Sequence, residues 1–124
     1  MPLSKLTAGV FGAVYTLVGI LGFFVTGLAG SGTLIVFPVS PLHNVVHLAI
    51  GLGGLAAYFG GPVLARTFCQ VAGAALAVVA VLGIVVPNPL GILPIGGLDI
   101  GLHVLSALVL MYVGFAGRDD AVTA

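Results

Sequence analysis

Hydropathy along the chain rises into four long apolar stretches separated by short clusters of Gly, Ser and Pro. The stretches are Leu6–Gly27, Leu42–Phe59, Val63–Val86 and Leu98–Ala116. Apolar residues run on within each one instead of alternating, so the period-two signature of a membrane β-barrel strand is absent. Each stretch approaches the ~20 helical residues that a bilayer core of about 30 Å requires. The breaks at Ala29–Gly32, Gly60–Pro62 and Pro87–Pro89 are made of residues that end helices, and Pro41 suits the first turn of the second. The pattern predicts an all-α integral membrane protein: a four-transmembrane-helix bundle forming a single membrane domain over residues 1–124, with a short polar tail at 118–124. The first run is longer than the 7–15-residue apolar core of a typical signal peptide, so it reads as a retained span.

The pattern also repeats. Val10–Gly27 aligns with Val71–Asn88 at an offset of 61, with Val10/Val71, Gly12/Gly73, Ala13/Ala74, Val18/Val79, Leu21/Leu82, Gly22/Gly83 and Val25/Val86 identical. The offset then becomes 56, and Leu34/Leu90, Pro38/Pro94, Leu42/Leu98, His47/His103 and Leu52/Leu108 match. Residues of about 6–60 and 63–117 thus form two tandem helical hairpins. Each hairpin returns the chain to its starting side, so the copies are expected to be related by a pseudo-two-fold axis along the membrane normal. Small residues mark candidate seams: Gly12, Thr16 and Gly19 on span one, Ala49, Gly53 and Ala57 on span two, and Gly73, Ala77 and Ala80 on span three.

Composition agrees with the pattern. Hydrophobic residues make up 60% of the 124 positions and charged residues 5%. A soluble domain carries about 25% charged residues, so an ordinary soluble fold, a disordered chain and a basic nucleic-acid-binding surface are all excluded. Lys5, Arg66 and Arg118 are the only basic residues, and all three fall on one side of a four-span topology. That side, with both termini, is expected to be cytoplasmic, in a bacterial inner membrane. Tyr58, Phe59, Phe68, Tyr112 and Phe115 would form the inner aromatic belt, and Phe23, Phe24 and Phe37 the outer one. Cys69 is the only cysteine, so no intrachain disulfide can form. The outer loops are apolar at 34–39 and 90–95. They are expected either to pack into the interface or against the bundle, or to contact other membrane-protein subunits.

Candidate chemistry is confined to the outer ends of spans two and four. His43, Asn44 and His47 open span two; Asp99 and His103 open span four. His43/His47 and Asp99/His103 are i,i+4 pairs that share a helix face, and the repeat maps His47 onto His103. Ionisable groups at membrane depth are costly and usually face the bundle interior. Three uses are open. The cluster can pin the hairpins together by hydrogen bonds. His47 and His103 can ligate haem b or a divalent metal, with His43 and Asp99 assisting. The groups can also form a proton-linked or small-molecule pocket in a small transporter. No phosphate-binding Gly-rich loop, GxSxG, CxxC or HExxH motif is present, so no catalytic residue is assigned.

Pro41-Leu-His-Asn-Val-Val-His-Leu-Ala-Ile-Gly51 and Leu98-Asp-Ile-Gly-Leu-His103 together resemble a family of small bacterial four-helix membrane proteins described only as a domain of unknown function. Its pattern opens the second span with N-P-x-H-N-x-x-H-x-x-x-G and the fourth with a D-N-x-x-H-like element. His43, Asn44, His47, Gly51, Asp99 and His103 match. Ser40 and Ile100 stand where Asn is frequent, and Ala107 where a second Gly falls, which thins the polar network of the second half. The resemblance implies the topology and the polar cluster but supplies no reaction. On the sequence alone the favoured reading is a non-enzymatic structural or accessory subunit without a cofactor, packing in or against a larger membrane assembly.

Overall fold

The computed structural model describes residues 1–30, 32–34, 37–85 and 98–117, without the side chains of residues 34, 37, 38, 98 and 99. Four helices dominate: α1 (Leu3–Thr26), α2 (Pro41–Gly60), α3 (Pro62–Val85) and α4 (Leu98–Met111), the last continuing as a π-helical turn over Tyr112–Ala116. The first three are long and apolar enough to cross a membrane, and Ile100–Ala116 is a shorter apolar helix. The sequence-predicted bounds hold to within three residues.

One element was not anticipated. Strands β1 (Gly32–Leu34) and β2 (Phe37–Val39) pair antiparallel between α1 and α2, with Thr33 opposite Pro38. This hairpin turns back onto the bundle, where Val39 is 1% exposed. An apolar loop thereby satisfies part of its backbone hydrogen bonding and buries a side chain against the helices. Segment 90–95, Arg118, Asp119 and Asp120 lie outside the described residues.

Local chemistry sets the helix ends. Pro41 starts α2, and the Ser40 hydroxyl accepts a hydrogen bond from the His43 backbone N–H at 3.2 Å, an N-cap that fixes the first turn. Gly61, at φ 101, makes the tight α2–α3 turn in a backbone region that side chains disfavour.

α1 packs most closely on α2, and α3 on α4. The α1–α2 seam is made by close backbone approach. A Cβ added at Gly12 would meet the Leu55 backbone nitrogen at 2.6 Å, and one at Gly54 the Ala8 carbonyl oxygen at 2.8 Å. A Cβ at Gly51 would collide with Thr16. Such close approach of two backbones gives extensive van der Waals contact along the seam. The expected stripe on span two is therefore corrected. Ala57 is buried, but Ala49 and Gly53 are exposed and line an open 510 Å³ groove facing Phe68 and Val71 of α3. The face that meets α1 carries Asn44, His47, Gly51 and Gly54, because those residues continue the phase set by the buried polar groups. The stripes on spans one and three hold, with Gly12, Gly19, Gly73 and Ala80 buried.

In the second hairpin, a Cβ at Gly73 would meet the Met111 backbone nitrogen at 2.9 Å. Cys69, Leu76, Ala107, Leu110 and Val113 form its buried core together with Tyr15 from α1. Where α4 becomes π-helical, the Gln70 side-chain amide donates to the Gly114 carbonyl at 2.9 Å. At the opposite end from the histidines, the Ser4 hydroxyl donates to the Pro62 carbonyl at 3.3 Å.

The exterior is apolar and part of the interior polar. Leu28 is 90% and Phe24 83% exposed, and many other large apolar side chains are exposed to lesser degrees, whereas His43, Asn44, His47, His103 and Ser106 are buried. Water-soluble folds distribute these classes the other way.

Candidate functional site

His43 and His47 lie one turn apart on α2 and face inward; His103 reaches them from the second turn of α4. Ring centroids are 4.3 Å apart for His43–His47, 5.9 Å for His43–His103 and 6.3 Å for His47–His103. All three residues are buried, and one nitrogen from each can be chosen so that all three atoms lie within 4.8 Å of one another. His47 and His103 thus do approach, and His43 completes a triad.

Sequence reasoning missed the neighbours of this triad. The Tyr15 ring stands edge-on to His47 at 5.4 Å, and its hydroxyl donates to Ser106 Oγ at 3.2 Å across the bundle. Two signals pointed there. A tyrosine inside an apolar span needs a partner for its hydroxyl, and Ser106 lies three residues after His103 on the same helix face.

Asn44 belongs to the same helical turn but turns the other way. Its amide Nδ2 donates to Thr26 Oγ1 at 2.9 Å, and that hydroxyl donates to the Gly27 carbonyl at 2.8 Å. Asn44 therefore ties the end of α1 to the start of α2, and only the absence of a side chain at Gly22 leaves it room. Asp99 is placed in the first turn of α4, one turn before His103, but its side chain lies outside the described residues.

The site is rich in polar atoms and poor in donors to match them. His47 Nδ1, Thr16 Oγ1 and Asn44 Oδ1 are buried without a hydrogen-bond partner among the described residues. A buried polar atom left unsatisfied costs about 1–3 kcal/mol, and such an atom in a folded protein commonly marks a bound ion or water. Three convergent imidazoles supply only soft-to-borderline nitrogen donors, a set suited to Zn, Cu, Fe or Ni.

These features define a small, apolar-surfaced four-helix bundle with a buried histidine triad bridging its two hairpins. A family model described as Domain of unknown function (DUF4383) matches residues 5–116. The chain belongs to that family. No curated protein and no solved structure matches it.

Proposed function

We propose that the chain is an integral membrane protein whose histidine triad holds a transition-metal ion near the outer face. The observation that carries this reading is the convergence of His43, His47 and His103, with ligand atoms within 4.8 Å of one another. Tetrahedral coordination at 2.0–2.1 Å sets nitrogens about 3.4 Å apart, so small side-chain rotations would close the site. Asp99, one turn before His103, is the nearest acidic residue in sequence for a fourth or outer-sphere position. A haem b held by His47 and His103 is less well supported. Axial imidazoles oppose each other across a flat porphyrin, and here a third imidazole stands 4.3 Å and 5.9 Å from the pair.

Three spans are supported by helix length and the apolar exterior, and the shorter apolar helix Ile100–Ala116, which buries His103 and Ser106 against the others, is read as the fourth. A duplicated hairpin is supported by the burial pattern. Ser4, Ala8, Gly12, Tyr15, Gly19 and Gly22 are buried on α1, and Ala65, Cys69, Gly73, Leu76, Ala80 and Gly83, each at the offset of 61, are buried on α3. The positions of Lys5, Arg66 and Arg118 favour cytoplasmic termini in a bacterial inner membrane.

The test is elemental analysis and an absorption spectrum of protein extracted in mild detergent without chelator. About one transition-metal ion per chain and no Soret band are expected. A Soret band would favour haem. Absence of metal, together with no uptake of added zinc, would remove the reading. What would then stand is an accessory subunit lacking a cofactor. The open α2–α3 groove beside Ala49 and Gly53 favours that second reading, because small residues let a helix of another membrane subunit approach.

A further inference from the structure

At the end of the bundle opposite the histidines, an open groove of 340 Å³ runs along the α1–α2 seam. Its walls come from Leu6, Gly9, Val10 and Ala13 of α1 and from Leu55 and Tyr58 of α2. Leu6 and Val10 are 47% and 52% exposed, so in a bilayer the groove faces lipid. From the level of Lys5 to Ala13 it follows about 12 Å of helix at 1.5 Å per residue. Lys5, in the first turn of α1, stands at its mouth. The Lys5 ammonium lies over the face of the Tyr58 ring, with Nζ 5.0 Å from the centroid. Gly9 seats that ring against the α1 backbone, since a Cβ there would meet Tyr58 Cδ2 at 2.8 Å. The ring attracts the cation from one side, and an ammonium carries three donors, so N–H groups remain for an anion. Among the described residues no carboxylate pairs with Lys5; Asp99 opens α4 at the opposite end of the bundle.

We propose that this groove binds an anionic phospholipid, one acyl chain lying along the α1–α2 seam and the headgroup phosphate accepting hydrogen bonds from the Lys5 ammonium. Three observations select that chemistry. The walls below Lys5 are apolar, and a soluble anion would leave them uncovered. The half-buried Lys5 carries a full charge at the mouth, and a plain hydrocarbon would leave it unmatched. The charge sits at the helix end and the apolar walls lie deeper, which is the order of headgroup and acyl chain in a bilayer. Tyr58, held by Gly9, keeps the ammonium at the groove in place of letting it extend into water. The inference rests on the membrane placement proposed above and is independent of the metal.

The experiment uses the full chain in mild detergent, with dioleoylphosphatidylglycerol as probe. Dioleoylphosphatidylcholine, with the same chains and no net charge, and glycerol phosphate, with the charge and no chains, are the controls. The thermal unfolding midpoint is followed as each is added. A saturable rise is expected with phosphatidylglycerol, half-complete at a lipid fraction about fivefold lower than with phosphatidylcholine, the effect of one basic side chain at an anionic headgroup. No rise is expected with glycerol phosphate. Lys5→Gln should remove the preference for phosphatidylglycerol. Arg66→Gln, which takes a charge from the same end of the bundle outside the groove, should keep it. Ala13→Phe, which fills the groove from an exposed position, should abolish the saturable rise even if Lys5→Gln fails to fold. Equal half-saturation by the two lipids would make the groove an acyl-chain slot and overturn the proposal. So would a preference that survives Lys5→Gln, one lost equally in Arg66→Gln, a rise that survives in Ala13→Phe, or an equal rise with glycerol phosphate. A chain that purifies without detergent would instead remove the membrane placement.

Discussion

The two hairpins use the same helical frame differently. In α1–α2, backbone meets backbone. Gly12, Gly51 and Gly54 bring the helices together, and the polar residues His43, Asn44 and His47 occupy the first two turns of α2. In α3–α4, the positions matching Gly51 and Gly54 at the offset of 56 hold Ala107 and Leu110, and Leu76 stands where α1 has Tyr15. Side chains fill that stretch of the seam, its close backbone approaches lying at Gly73 and Gly114 instead, and a single histidine remains. The first hairpin is the tighter and more polar half; the second is an apolar brace that contributes His103 across the bundle. The histidine pair and the glycine seam fall in the same hairpin, where close approach holds the helix bearing His43 and His47 against α1.

The contrast can be broken most directly at the glycines. Gly12→Ala should cost about 2–3 kcal/mol, because its nearest neighbours are all α2 backbone atoms that cannot yield. Gly73→Ala should cost less, about 1–2 kcal/mol, since one of its nearest neighbours is the flexible Met111 side chain. Equal losses in detergent unfolding titrations would erase the distinction between the seams. A smaller effect is expected for Asn44→Ala, about 1 kcal/mol from the lost Thr26 hydrogen bond, read as a lower unfolding midpoint. The smallest belongs to the second hairpin. Gln70→Met keeps the bulk and removes only the bond to the Gly114 carbonyl, a loss of about 0.6 kcal/mol. A loss for Gln70→Met larger than that for Asn44→Ala would show that the second hairpin also depends on its polar contacts.

Helix count, helix bounds and the histidine cluster were legible in the sequence because they rest on strong signals: long apolar runs, Gly/Pro breaks, and histidines stranded among Val and Leu. The helix phase of α2 was not. Residues 49–57 contain Ala49, Gly51, Gly53, Gly54, Ala56 and Ala57, so small residues offer several stripes and spacing alone selects none. The phase follows from the costly groups instead: His43 and His47 must face inward, and Gly51 and Gly54 continue that face. The β-hairpin at 32–39 escaped notice because a three-residue strand leaves almost no periodicity to read. The Tyr15–Ser106 bond joins residues whose partnership only the packing of α1 against α4 reveals.

The most direct test of the histidine triad as a metal centre is the visible absorption spectrum of the purified, chelator-treated protein titrated with Co²⁺. Saturation at about one Co²⁺ per chain, with the intense d–d bands of a tetrahedral nitrogen-rich site that vanish in His103→Leu while the helical circular dichroism persists, is the predicted result. Only the weak pink spectrum of hydrated Co²⁺, unchanged between the wild-type protein and His103→Leu, would contradict it.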